Sequence, residues 1–196
     1  MQRLTGVLIG AVFGMVFVAV NAGAPLAPLA GTVLRVLAGL GAASVGVMWF
    51  MAVRRARAGA APGDAAGGGA GGGAGGGEAG GAMFGRGYVV IVVLEAIALF
   101  GGIQVLRLLE WPAQAGVAWT ALIVGVHFVA LWPVWRAVSI LIPGAGLTLL
   151  GLAGLVMART GAVDWVPFVS GVLSGVVLLS GSVLYAHRRF RALAVR

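Results

Sequence analysis

Two ionisable residues stand inside otherwise apolar runs. Glu95 lies in Gly87–Leu106 and His127 in Trp111–Trp135. If both runs are helices, Glu95 sits about 9–12 Å from the start of its run and His127 about as far from the finish of its run, at ~1.5 Å rise per residue, so antiparallel neighbours place them at one level. A charge at the centre of a bilayer costs ~2.5–3.5 kcal/mol on insertion scales, so intramembrane ionisable groups face a neighbouring helix or a cavity. A carboxyl and an imidazole at one depth can share a proton, and the neutral hydrogen-bonded form avoids most of the desolvation cost of an ion pair. Thr120, seven residues before His127, adds a hydroxyl to the same helix face. Each residue also has a structural reading: Glu95 as a neutral carboxyl bonded to a backbone carbonyl, His127 as a satisfied helix-packing group.

Other chemistry finds little support. One His and one Glu fall short of the three or four ligands of a zinc-type site. Cys is absent, which excludes disulfides, thiolate metal sites and a Cys nucleophile. Thr148, Ser170, Ser174, Ser180 and Ser182 have no base nearby in sequence and read as packing residues. No enzyme, metal or cofactor is expected. The GxGxxG-like matches near residue 70 lack the flanking strand and helix that a phosphate loop needs.

The elements that must position Glu95 and His127 follow from composition. The chain of 196 residues is 61% hydrophobic and 9% charged. A soluble domain has about 45–50% apolar and about 25% charged residues. A spanning helix needs ~20 apolar residues, and six stretches qualify: about 4–20, 32–53, 88–106, 117–131, 138–158 and 165–186. The fold expected is therefore an all-α membrane protein. An N-terminal transmembrane hairpin (1–57) and a four-helix transmembrane bundle (84–196) are joined by a Gly/Ala-rich segment (58–83). That segment lacks apolar side chains and should be a flexible coil, spanning ~25–30 Å over about 25 residues.

Asn21–Gly31, with Pro25 and Pro28, reads as the first turn. Trp132–Arg136 reads as the turn between the fourth and fifth spans, and Pro143-Gly144 as a kink in the fifth. Arg107 and Glu110, three apart, are spaced to pair. Gln104, opposite Glu95 on its helix, suits a helix–helix hydrogen bond. Glycines mark close packing, since small residues let helices approach. They are Gly6, Gly10 and Gly14 at intervals of four, Gly102 with Ala98 on the Glu95 face, and Gly171 with Gly175.

All 13 basic residues are Arg, and the net charge is +8. Their place beside apolar spans makes them topology signals and not a nucleic-acid footprint. With both termini inside, Arg3, Arg54, Arg55, Arg57, Arg86, Arg136, Arg188, Arg189, Arg191 and Arg196 lie inside, while Arg35, Arg107 and Arg159 lie outside. Ten against three favours this orientation by the positive-inside rule. It implies a plasma-membrane protein with cytoplasmic termini, whose inner Arg residues attract anionic lipid at ~1 kcal/mol each. Ala22-Gly-Ala24 also resembles a signal-peptide cleavage site, although the preceding apolar stretch is long for one.

At Glu95, Gly101-Gly102, Pro112–Gly116 and Gly125-Val-His127-Phe128 the chain resembles small uncharacterised multi-pass membrane proteins of GC-rich bacteria. These carry a Gly-Val-His-Phe motif in one span and an acidic residue in the span before. The resemblance covers the last four spans, implies no particular activity, and supports treating Glu95 and His127 as a pair. Two functions fit these residues. One is a polar intramembrane site in a proton-linked carrier of a small solute. The other is a non-catalytic scaffold or partner-binding subunit, a homo-oligomer included, in which the pair is structural.

Overall fold

The computed structural model describes residues 2–58, 86–135 and 138–194; the Gly/Ala-rich segment expected to be a flexible linker lies outside them. Six α-helices follow in order: α1 (Gln2–Asn21), α2 (Pro28–Ala58), α3 (Arg86–Leu108), α4 (Ala115–Trp135), α5 (Leu141–Met157) and α6 (Leu173–Ala194). A 3-10 turn, Val138–Ile140, leads into α5. A second, Val163–Trp165, and a π-helical segment, Pro167–Val172, lead into α6. No strand occurs among the described residues. Five stretches are long and apolar enough to cross a membrane: Pro28–Arg55, Gly87–Leu108, Ala115–Pro133, Val138–Met157 and Val163–Arg188. The apolar part of α1, Gly6–Asn21, is shorter, but α1 as a whole has 20 residues, enough for about 30 Å. The chain is an all-α, multi-pass membrane protein.

Pro28 and Pro143 sit where a helix tolerates proline. Pro28 opens α2, at the position where a missing N–H leaves no bond unmade. Pro143 falls in the first turn of α5 for the same reason, so the expected mid-span kink is instead a helix start. The helix α4 continues through Pro133 to Trp135, so Trp132–Trp135 are helical where a turn was expected over Trp132–Arg136; Arg136 lies outside the described residues. One clear helix stop ends α3. Glu110 adopts φ 55°, Trp111 N–H donates to the Leu106 carbonyl at 2.9 Å, and Glu110 N–H donates to the Arg107 carbonyl at 3.1 Å. This is the Schellman arrangement with Glu110 in the place glycine usually takes.

Packing distributes the helices unevenly. The N-terminal hairpin does not stand apart from the later helices: α1 and α2 both lie on α6, around Ala11, Val18, Ala38, Val45, Val172 and Leu179. Lipid tails are as apolar as leucine, so close backbone approach has to hold such helices together. At the α1–α6 crossing a Cβ on Gly14 would lie 2.8 Å from the Gly175 carbonyl oxygen, and one on Gly175 would lie 2.6 Å from the Gly14 carbonyl oxygen. Gly10 faces Ser182 and Gly171 faces Asn21, whereas Gly6 has open space. The helices α4 and α5 form the tightest pair, with Gly125 against Thr148, Gly144 against Phe128 and Gly151 against Leu122. By contrast α3 packs on α4 and little else, and none of its membrane-span residues is fully buried.

Candidate functional site

The α3–α4 interface is antiparallel because only six residues join the helices. Glu95 and Gly102 are seven apart on α3, and Trp119 and His127 are eight apart on α4. Antiparallel neighbours therefore bring Trp119 opposite Gly102 and His127 opposite Glu95 in one register. The Trp119 indole fills the notch at Gly102, where a Cβ would collide with its ring. Its Nε1–H donates to the Ala98 carbonyl at 3.0 Å.

The other contact joins the two ionisable residues. His127 Nδ1 lies 2.9 Å from Glu95 Oε2, with the side chains 13% and 22% exposed respectively. The distance is that of a hydrogen bond, yet Nδ1 has no partner of acceptable hydrogen-bond geometry. The two observations describe one contact: the atoms approach closely, but the N–H direction misses the carboxylate oxygen. We read it as a close polar pair without an aligned hydrogen bond, because angle, not distance alone, sets hydrogen-bond strength.

The remaining sequence-derived residues lie elsewhere. Thr120 donates to the Gly116 carbonyl of its own helix at 2.8 Å, and it lines a cleft whose walls include neither Glu95 nor His127. Gln104 makes no helix–helix bond among the described residues; it accepts a bond from Arg107 Nη1 at 3.2 Å. Arg107 therefore turns back along α3 and not toward Glu110. Ser170, fully buried, donates to the Leu150 carbonyl at 2.8 Å and ties the π-helical segment to α5. Trp119 is the site residue that sequence reasoning missed. The signal available was its register with the Glu95–Ala98–Gly102 face. Among the described residues no group of three or more His, Asp or Glu could hold a metal ion.

The chain matches no protein-family profile, no curated protein sequence and no solved structure.

Proposed function

We propose that this membrane protein is a non-catalytic scaffold or partner-binding subunit in which the Glu95–His127 pair clamps α3 onto α4. The observation that carries this reading is position: the pair lies in the one extensive interface α3 makes among the described residues. The rest of α3 presents Val89, Val93, Ile97 and Phe100 outward, a face for lipid, a second copy or another membrane helix. Spin labels on exposed Ile97 and Val126 would report the α3–α4 separation. Glu95→Leu should broaden that distance distribution; an unchanged distribution would defeat the clamp.

A proton-linked carrier is the second reading. Its support is the pair itself: a carboxyl and an imidazole 2.9 Å apart inside two membrane spans, groups of the kind that relay protons in pumps and transporters. Proteoliposomes with an entrapped pH dye can be challenged with amino acids, sugars and small organic acids. Solute-dependent proton entry that Glu95→Gln abolishes would replace the scaffold reading.

Both readings take the plasma membrane with cytoplasmic termini as the setting, on the distribution of Arg residues. Single Cys residues at Ala65, Gln114 and Ala162 test this in a chain with no native Cys. Labelling from outside at Gln114 and Ala162, and not at Ala65, is expected.

A further inference from the structure

At the end of the bundle that holds the α3–α4 connection, α1 and α3 hardly touch. Between them opens a cleft of about 590 Å³, within the ~300–1,000 Å³ range of small-ligand sites. Its side walls are apolar, with Val16 and Val20 from α1 and Ile103 from α3, and Arg107 and Trp111 lie at the connection end. Arg107 is exposed, and its Nη1 donates to Gln104. Trp111 has a buried Nε1–H with no acceptor among the described residues. The Arg159 guanidinium lies 4.0 Å from the centre of the Trp111 ring. Glu110 and Asp164, the acids at this end, do not line the cleft.

We propose that this cleft binds one anionic phospholipid from the surrounding leaflet. A slot between two peripheral spans cannot stay empty without losing the dispersion contacts of its walls, and the lipid tails around it are the solvent that fills it. An acyl chain fits between Val16, Val20 and Ile103. The headgroup phosphate then meets the Arg107 guanidinium, a charge-assisted contact. Among the described residues, Arg107 is the one charged residue that lines the cleft. Lipid selectivity arises at Arg107 and affinity arises from the apolar walls.

The full chain is purified in detergent and incubated with equal amounts of phosphatidylglycerol and phosphatidylcholine. Retained lipid is counted by native mass spectrometry. One phosphatidylglycerol should be retained in preference to phosphatidylcholine by about fivefold, the effect of one basic side chain at a lipid surface. Arg107→Gln should abolish the preference, and Ile103→Trp or Val20→Trp should lower retention of both lipids. Circular dichroism and gel filtration identify which variants are folded. Arg35→Gln should keep the preference, because Arg35 Nε bonds the Ala19 carbonyl at 3.0 Å and does not line the cleft. Equal retention of the two lipids would overturn the proposal. So would a preference that survives Arg107→Gln or is lost equally in Arg35→Gln, which would point to general surface charge. Displacement of the lipid by inorganic phosphate would make this a site for a soluble anion and would overturn it too.

Discussion

Removing the Glu95–His127 contact should cost less than its 2.9 Å separation suggests. An aligned interhelical hydrogen bond in a membrane is worth about 0.6 kcal/mol on average and about 1.7 at most. One feature of this contact points toward the average: Nδ1 is not aligned on the carboxylate. A coupling of about 0.6 kcal/mol is therefore expected, with about 1.7 as the ceiling. The double change, Glu95→Leu with His127→Leu, should therefore cost less than the two single changes summed, by about that coupling. The assay is a double-mutant cycle by reversible unfolding in mixed detergent micelles, read by the near-ultraviolet signal of the tryptophans. Strict additivity, within about 0.3–0.5 kcal/mol, would refute the claim that the pair holds α3.

Three further predictions use neighbouring positions as internal controls. Gly101 and Gly102 are adjacent, but a Cβ on Gly101 meets nothing within 4 Å while one on Gly102 meets the Trp119 indole; Gly102→Ala should be less stable than Gly101→Ala by about 1–3 kcal/mol, and equal stabilities would mean that Trp119 does not seat there. On α1, Gly14→Ala meets the Gly175 backbone whereas Gly6→Ala meets open space, so thermal unfolding should show a loss of about 1–3 kcal/mol for the first alone. Glu110 holds φ 55°, a conformation costing about 1–2 kcal/mol for an L-residue, against about 0.5–1 kcal/mol for the extra chain entropy of glycine. Glu110→Gly should then stabilise by roughly 0.5–1 kcal/mol, and Glu110→Ala, which removes the charge but keeps the strain, should not; equal effects in chemical unfolding would locate the gain in the charge.

What could be read from the residues, and what could not, follows from how far each rule reaches. The six helices were legible because charged residues are so few that their places bound the spans. Depth was legible too: counting residues from the ends of two runs puts Glu95 and His127 at one level, and a six-residue connection makes their helices neighbours. Partner choice was not legible. Gly10 and Gly14 identify a face of α1 that wants close company, but nothing in the spacing says whether the company is the next helix or the last. The reciprocal fit of Gly14 and Gly175 is a fact about two distant segments. The tight α4–α5 seam was obscured differently, because Pro143-Gly144 drew attention as a kink while Gly144 serves as a contact for Phe128.

Arg107 shows the same limit at the scale of one turn. The rule that pairs residues three apart assumes that both belong to the helix. Glu110 has already left it, with φ 55°, and the chain turns there so that Trp111 can close the Schellman bond to Leu106. Leu106 and Trp111 then pack together against Ala115, Ala118, Ala158 and Val166, the hydrophobic contact that accompanies this helix stop. The same turn therefore sets three things at once: it directs the chain into α4, it carries Trp111 to the cleft, and it denies Arg107 its acidic neighbour. Restoring a partner on the helix itself tests this account of the charge. Gln104→Glu would place a carboxylate where Arg107 already donates at 3.2 Å, and it should weaken the cleft's preference for an anionic headgroup while leaving the Glu95–His127 coupling unchanged. A preference that persists in Gln104→Glu would mean that the charge on Arg107 does not control what enters the cleft.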